Sequence, residues 1–436
     1  MRSRSSMRLP GRPRTAGHPT PVHPFPARRL KLSLGCLLGF LLLGSAPLAA
    51  QDPGPPSGGE GEEWRGSSDG GGNGAGLRLM VGNTGVGIGH VPRVNGLRIN
   101  WADRHLEEVN GVNLTLWRPR SSQSVGGTVR GMALGVVPQA GSIRGIGLGV
   151  AAVIGESDLA GIHAGGLAVV SSATASGLSL GGLAVVSEGG LFGISLGGLA
   201  TVAEGQMQGI QGGGLAVVSE GGMRGVQASG LAVVSQGPMQ GVQAGGLAVV
   251  AERGLRGIQG GGLAVVSEGR MQGVQAGGLA VVSQERMDGV QAGGLAVVSG
   301  GDARGLQLGG LAVVAGGDLG GIQVGGLAVV AEGNIRGIQA ALAGVSAEGI
   351  VDGVTLAGYR VKAPEVRGLN VAGYTDVGRF RGMSVGGVHR LEVSVGLTVG
   401  LVNWADELRG VQIGLLNRAG NNPAPFRVLP LVNAHF

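Results

Sequence analysis

The chain has 436 residues, of which 94 are glycine, with 33 basic and 27 acidic residues. Eight of the basic residues and no acid lie in residues 1–50, which leaves 25 basic against 27 acidic residues in the remainder, a net charge of −2. Without a basic surplus the chain lacks the electrostatic footprint of nucleic-acid binding, and we predict no nucleic-acid partner. The single cysteine, Cys36, lies in the first segment, so residues 51–436 have no disulfide and no thiol chemistry.

Residues 1–50 have the order of a secretory signal peptide. Basic residues come first, an apolar stretch follows at residues 34–43, and small residues at 46–50 provide a cleavage site that would leave Gln51 as the first residue. The apolar stretch is shorter than the ~20 residues that a membrane-spanning helix needs, which argues against an uncleaved anchor. We therefore expect an exported protein, located at the cell surface or outer membrane or in the periplasm.

Residues 51–76 are rich in glycine, proline, serine and acids, and predict a disordered linker because such a segment cannot bury enough apolar surface to offset the entropy of ordering. After the linker we expect irregular repeats and a cap at 77–160, a regular repeat array at 161–352, and irregular repeats with a second cap at 353–436. Aromatic residues are concentrated in the two irregular regions, where we expect larger side chains to close the ends of the array.

The regular array repeats every 16 residues, and such a fixed period is the signature of a repeat architecture. We number the positions of a unit from its leading glycine, so that Gly225 is position 1 and Gln240 is position 16. The period is clearest at position 7: Leu167, Leu183, Leu199, Leu215, Leu231, Leu247, Leu263, Leu279, Leu295, Leu311 and Leu327. Weaker units have leading glycines at Gly96, Gly111, Gly131, Gly145, Gly368, Gly382, Gly396 and Gly410.

Each unit predicts two short strands and two bends. The leading glycine is followed by an apolar residue, then usually by glutamine, and then by a small or apolar residue; this alternation is typical of a strand whose glutamines point outward. The Gly-Gly pair at positions 5 and 6 predicts a corner where φ can be positive. A second strand, Leu-Ala-Val-Val, follows it, then a polar turn, and the methionine or leucine at position 15 returns the chain to the core. The predicted outward glutamines are Gln227, Gln243, Gln259, Gln275, Gln291, Gln307, Gln323 and Gln339.

About four glycines per unit, each costing about 1 kcal/mol in a helix relative to alanine, predict an all-β fold. The recurring Gly-Gly pair favours parallel coils, a β-solenoid of about 20 short coils with irregular capping ends and a length on the order of 100 Å. The alternative is an antiparallel β-meander or barrel. Phe436, preceded by Val428, Val432 and Ala434, is typical of the terminal strand of an outer-membrane barrel, but Pro430 interrupts that pattern and favours a terminal cap or sheet edge.

The units that begin at Gly396 (GLTVGLVN) and Gly410 (GVQIGLLN), with the closing LPLVNAHF, resemble the leptospiral-type surface-repeat family of bacterial exported proteins. The units at Gly96 and Gly111 are similar. The resemblance implies a shared fold and placement at the cell surface, and it implies no defined activity. The central units differ because Leu-Ala-Val-Val replaces the Leu-x-Asn ending.

The repeats do not contain a constellation that predicts chemistry. Histidines are spread singly, and the turn acids do not have the spacing of calcium-binding repeats, so we predict no metal and no cofactor. Like-charged carboxylates in one column repel each other, and with arginines in the same turns they predict a solvated, partly paired face, not a catalytic one. The recurrent turn acids are Glu188, Glu204, Glu220, Glu252, Glu268, Glu332 and Glu348. We predict no catalytic, cofactor-binding or metal-ligating residue.

Three functions follow from these observations. The first is a non-enzymatic exported scaffold of the cell surface or envelope, for adhesion or protein interaction. The second is an outer-membrane β-barrel protein. The third is a cryptic glycan-binding or glycan-active β-helix that uses the irregular ends, where Asp103 and Arg118 are the polar residues to test. A cell-surface glycan, an envelope protein and a second copy of the chain are the candidate partners, and the C-terminal region is a candidate for membrane association.

Overall fold

The computed structural model describes residues 76–103, 106–117 and 126–436. The chain divides into two units, Met1–Asp69 and Gly70–Phe436, and all described residues belong to the second. The predicted signal segment, the linker except its last residue, and Arg118 therefore lie outside the described residues. This described part is all-β, with 35 strands in one sheet and without a helix.

In the regular array, each coil consists of a seven-residue strand and a four-residue strand. Each strand pairs in parallel with its counterpart one coil away, and every residue faces the same position of the next unit, as Gln227 faces Gln243 and Val233 faces Val249. This parallel register selects the predicted β-solenoid, of about 19 turns, over the antiparallel alternative. Two strands and two bends make one coil, as the sequence predicts.

The first strands of successive coils are β9 (Leu159–Gly165), β11 (Ala175–Gly181), β13 (Leu191–Gly197), β15 (Met207–Gly213), β17 (Met223–Ser229), β19 (Met239–Gly245), β21 (Leu255–Gly261), β23 (Met271–Gly277), β25 (Met287–Gly293), β27 (Ala303–Gly309), β29 (Leu319–Gly325) and β31 (Ile335–Ala341). The second strands are β8 (Ala152–Gly155), β10 (Ala168–Ser171), β12 (Ala184–Ser187), β14 (Ala200–Ala203), β16 (Ala216–Ser219), β18 (Ala232–Ser235), β20 (Ala248–Ala251), β22 (Ala264–Ser267), β24 (Ala280–Ser283), β26 (Ala296–Ser299), β28 (Ala312–Ala315), β30 (Ala328–Ala331) and β32 (Gly344–Ala347).

The flanking coils are less regular, and an antiparallel hairpin closes the sheet at each end. At the C-terminus the last strand pairs antiparallel with the one before it, as the cap interpretation of Phe436 predicts, and so covers a parallel edge that would otherwise be open to pairing with other chains. The flanking strands are β1 (Gly76–Val81), β2 (Thr84–Gly89), β3 (Arg93–Ala102), β4 (Glu108–Trp117), β5 (Thr128–Gly135), β6 (Gln139–Ala140), β7 (Ser142–Gly149), β33 (Ile350–Val399), β34 (Val402–Ala419) and β35 (Val428–His435).

The apolar core is formed by positions 9 and 15 of each unit. Val249 and Met239 are fully buried, and the same positions of the other regular coils are occupied almost entirely by buried aliphatic side chains or methionine. Position 7, the leucine that defines the period, lies in the bend between the strands and is 39% to 53% exposed in the eleven regular units. The second strand therefore begins one residue later than the sequence predicts, at the alanine of position 8.

Glycine is required at position 1 for two reasons. In the coils from Gly161 to Gly353 its φ lies between 100° and 125°, a region that other residues rarely adopt. In addition, a Cβ at Gly241 would overlap the carbonyl oxygen of Gly225 in the preceding coil. The Gly-Gly pair does form the predicted corner, but for a different reason: Gly246 lacks a positive φ, and a Cβ there would overlap the carbonyl oxygen of Gly230.

The prediction that aromatic side chains close the ends is wrong for most of them. Phe380 is fully buried in the C-terminal coils. The other large aromatics lie at the surface, because the terminal hairpins close the sheet without them. Trp101, Trp117, Tyr359, Trp404, Phe426 and Phe436 are between 44% and 97% exposed.

Candidate functional site

The glutamines at position 3 point into the solenoid, so the predicted outward orientation is wrong. Each is at most 1% exposed. From Gln227 to Gln323, the Nε2 atom of each glutamine donates to Oε1 of the glutamine one coil earlier, over distances of 2.7 to 3.1 Å. A buried amide is tolerated when it is hydrogen-bonded, and here stacking identical coils supplies the partner. The column is therefore a structural element and is not available to a ligand.

Replacing Gln259 with leucine should destabilise the array by about 2 kcal/mol or more, because Gln243 loses a donor and Gln275 loses an acceptor inside the protein. Urea unfolding of the variant measures the loss. Gln272→Leu is the matched control, since Gln272 lies at position 16 outside the core. Equal stability of Gln259→Leu and the wild type would contradict a stabilising role for the column.

His163 occupies the same interior position four coils before Gln227. It is fully buried, and among the described residues only the backbone of Ala160 interacts with the ring in a way that opposes the effect of burial. Burial lowers the pKa of His163 to about 4. The neighbouring coil accommodates the ring because Gly147 carries no side chain, and a Cβ there would lie 2.7 Å from Nδ1 of His163. The imidazole is neutral, enclosed and remote from any surface that a substrate could reach.

His163 should make the N-terminal coils sensitive to acid. In the unfolded chain His163 is protonated below its ordinary pKa of about 6.5, whereas in the folded chain it stays neutral down to about pH 4. The free energy of unfolding therefore decreases as the pH is lowered from about 6.5 to about 4, by about 3 kcal/mol in total. His163→Gln should remove most of this loss, measured as the change in urea midpoint between pH 7.5 and pH 4.5. An identical pH dependence in variant and wild type would show that His163 is not responsible.

At the N-terminal end, Asp103 is a structural residue. It is fully buried and forms an ion pair of 2.7 Å with the equally buried Arg98. Asn100, Asn113 and Thr115 also donate to its two carboxylate oxygens. Burial lowers the pKa of Arg98, and the charge of Asp103 opposes that effect. Because Asp103 is enclosed by these donors, its carboxylate is not available as a catalytic group.

The asparagines of the Leu-x-Asn ending form a comparable interior stack in the C-terminal coils. Asn403 Nδ2 donates to Asn417 Oδ1 over 2.6 Å, and Asn433 donates to the carbonyl of Asn417. Asn403 stands opposite His389, whose pKa is lowered by burial. In the central units a buried valine takes the place of these asparagines at position 9, except in the unit of Gly193, which has Thr201.

On the outside, the coils from Gly161 to Gly353 share an uncharged surface that we name the apolar groove. One ridge is the valine, isoleucine or leucine at position 2, and the other is the leucine at position 7 of the eleven units from Gly161 to Gly321. Positions 4 to 6 form the floor, which consists of glycine, alanine or serine except at Leu180, Leu196, Leu308, Val324, Leu342 and Leu356. Open, shallow recesses of about 940, 770 and 410 Å³ follow this surface within residues 114–198, 245–324 and 324–371, and so continue into the flanking coils on both sides. The ridge at position 2 is formed by Ile162, Leu178, Ile194, Ile210, Val226, Val242, Ile258, Val274, Val290, Leu306, Ile322, Ile338 and Val354.

A second recess lies on the C-terminal coils and is polar. It encloses about 1290 Å³, and Arg418 packs over the indole of Trp404 with its guanidinium carbon 4.1 Å from the ring centroid. Arg418 also pairs with Asp406, and Arg360 pairs with Asp376. Lys362, Arg390, Glu348 and Glu392 complete the charged lining. We name this recess the polar recess.

The recurrent turn glutamates face solvent, apart from the half-buried Glu220, in agreement with a solvated face. Among the described residues of the array, the turn ion pairs are formed by Asp288 with Arg286 and by Asp302 with Arg304, and not by these glutamates. In the same part of the chain, no three histidine, cysteine, aspartate or glutamate side chains come together to hold a metal ion.

These features define the described part of the chain as a parallel β-solenoid with a polar interior column and an apolar exterior groove. Comparison with protein-family models, with curated proteins and with solved structures finds no match. The resemblance to the leptospiral-type surface-repeat family therefore stays a prediction. A search of the described residues for helices long and apolar enough to cross a membrane finds none.

Proposed function

We propose that the chain is a non-enzymatic, exported scaffold of the bacterial cell surface or envelope, which acts through binding along its coils. The observation that carries the proposal is the apolar groove, whose ridges and floor contain no charged residue across thirteen leading glycines, Gly161 to Gly353. Stacked identical coils present the same side chains at every step, which suits an extended contact and does not create a unique catalytic centre. The signal-peptide pattern of residues 1–50 supports export.

Location and processing test this proposal directly. The full chain, carrying an epitope after the 97% exposed Phe436, is produced in an exporting bacterium. We expect the isolated protein to begin at Gln51, and an impermeant protease to remove the epitope from intact cells if the protein is at the surface, or only from cells with a permeabilised outer membrane if it is periplasmic. Retention in the cytoplasm with residues 1–50 still attached would refute export.

The polar recess supports a second candidate function, glycan binding. Arg418 covers one face of the Trp404 indole and Arg360 lies over Tyr374, but Trp404 is still 44% exposed. Its exposed surface lies beside carboxylates and cations, a combination that suits the apolar face and the hydroxyl groups of a sugar. Asp376 and Asp406 are engaged in ion pairs, which favours binding over acid–base catalysis. A glycan array tests this candidate: a ligand that is bound by the exported protein and lost in Trp404→Ala would support it, and an array without signal would count against it.

A further inference from the structure

We infer that the apolar groove is the interface between two copies of this chain, so that the exported protein is a dimer of solenoids in contact along their coils. The inference rests on the proposed scaffold function and names its partner. Four features of the groove support it: its area, its repeat from coil to coil, its lack of charge, and the sign of the charge around it.

The groove is too large to remain exposed on a monomer. Eleven coils at about 4.8 Å each span about 53 Å, and the path from position 2 to position 7, which follows the bend, is about 15 Å long, so the face covers up to about 800 Å². The largest apolar patch of a typical soluble monomer is about 300 to 600 Å². Two copies in contact over the whole face would bury up to about 1,600 Å² in total, within the range of about 1,200 to 2,000 Å² for stable interfaces.

The face repeats in register from coil to coil. Beside the leucine ridge, represented by Leu247, the floor consists of small residues in the six coils from Gly209 to Gly289, as Ala244 and Gly246 show, while five other coils have leucine or valine at position 4. A two-fold axis parallel to the solenoid, midway between the two ridges, brings the whole face of one copy against that of the other. The ridges and the floor all follow the coil repeat, so the same contact recurs at every step.

The charge around the groove argues against an anionic lipid surface as its occupant. Residues 161–352 contain twelve acids against seven arginines and no lysine, and Phe192 is their one aromatic residue. Surfaces that lie on anionic membranes are rich in lysine and arginine, with tryptophan or phenylalanine on the apolar side. Ten of the twelve acids lie in turns, and Asp288 and Asp352 lie in strands at position 16. Position 16 borders the ridge at position 2 and also holds Arg224, Arg256, Arg304 and Arg336, so charges of both signs flank the groove and none lies within it.

Sedimentation equilibrium tests the inference on the full chain after export and natural processing, without detergent, at about 1 to 50 µM protein and physiological salt. We expect a mass twice that of one chain. The double variant Leu231→Glu, Leu247→Glu places carboxylates on the ridge and should weaken dimerisation at least about 100-fold. The matched control is Gln236→Glu with Gln284→Glu, which adds the same charge at position 12, where other coils already have glutamate; it should remain a dimer.

A second variant, Ala244→Phe with Ala276→Phe, fills the floor without adding charge and should also give monomers, with an unchanged β-sheet circular dichroism spectrum. A monomeric wild-type protein would overturn the inference, as would ridge variants that still dimerise, or a monomer that binds vesicles of phosphatidylglycerol and phosphatidylethanolamine. These outcomes leave the processing and location experiment unaffected, so failure of the dimer is distinguishable from failure of the proposed function.

Discussion

Replacing Gly257 with alanine should destabilise the coils around it by about 4 kcal/mol or more, the largest loss that we expect from adding a single methyl group. The φ of Gly257 is 115°, and the added Cβ would overlap the carbonyl oxygen of Gly241 in the preceding coil. Neither conflict can be relieved locally, because Gly241 and Gly257 face each other in the parallel pairing of neighbouring coils. Urea unfolding followed by circular dichroism, with hydrogen exchange of the strands on either side, measures the effect.

Gly260→Ala, in the same strand of the same coil, is the control. Gly260 does not have a positive φ, a Cβ there meets no atom within 4 Å, and the neighbouring coils already have Ala244 and Ala276 at this position. The control should therefore be neutral or stabilising by about 0.4 to 1 kcal/mol, because alanine reduces the entropy of the unfolded chain. If the two variants lost equal stability, glycine at position 1 would have no special steric role.

The architecture could be predicted from the sequence because it depends on the period and on local backbone preferences. A 16-residue repeat with about four glycines cannot be helical, and the Gly-Gly pair at a fixed place in every unit marks a bend. Parallel stacking of identical units then puts like residues opposite each other, as Gln227 and Gln243 show. These are properties of one unit and its copy, so they require no knowledge of distant contacts.

The face on which each side chain lies was harder to predict, because hydrophobicity and alternation disagree. Hydrophobicity predicts that a valine such as Val242 points inward and the following glutamine, Gln243, points outward. Met239 also points inward, however, and strict alternation from it carries Gly241, Gln243 and Gly245 to the same side. A shift of one residue moves every side chain of a strand to the other face. The correct inward and outward faces could have been found by counting the alternation from the methionine at position 15.

The apolar groove was missed for the same reason. Once glutamine is assigned to the surface, the residues at positions 2 and 4 are assigned to the core, and the exterior is expected to be polar. In the structure a hydrogen-bonded column of amides fills part of the interior, and the aliphatic residues that it displaces are exposed, as Ile258 is at 55%. The buried glutamine amides find hydrogen-bond partners only when the coils stack, so composition alone could not predict that glutamines lie inside and aliphatic residues outside.

The Arg98–Asp103 pair was not predicted either, since it depends on coil closure. Asn113 and Thr115 come from the following strand, and Gln139 contributes a backbone N–H to Asp103 from much further along the chain. One signal was available: Arg98 occupies position 3 of its unit, the same interior position as the glutamines. Once position 3 is assigned to the interior, a charged residue at that position requires a buried counter-charge nearby.

Asp103→Ala should destabilise the N-terminal coils by about 3 to 5 kcal/mol, because it removes the carboxylate that bonds the buried Arg98 guanidinium and accepts from Asn113 and Thr115. The loss should be local, since coils in a solenoid interact mainly with their neighbours. Hydrogen exchange should accelerate in β3 and β4 and remain unchanged beyond the first coils of the array.

The control for this substitution is Glu108→Gln, which removes the exposed ion pair between Glu108 and Arg130 in the adjoining strands. Both side chains are more than 40% exposed, and surface pairs of this kind contribute at most about 1 kcal/mol, so the control should be nearly neutral. A difference of several kcal/mol between the two variants would assign the stability of this end to the buried carboxylate. Equal losses would mean that charge at the N-terminal coils matters in general, whether buried or exposed.

Because Asp103 is enclosed, its substitution should affect binding by the apolar groove only by loosening the coils at the end of the array.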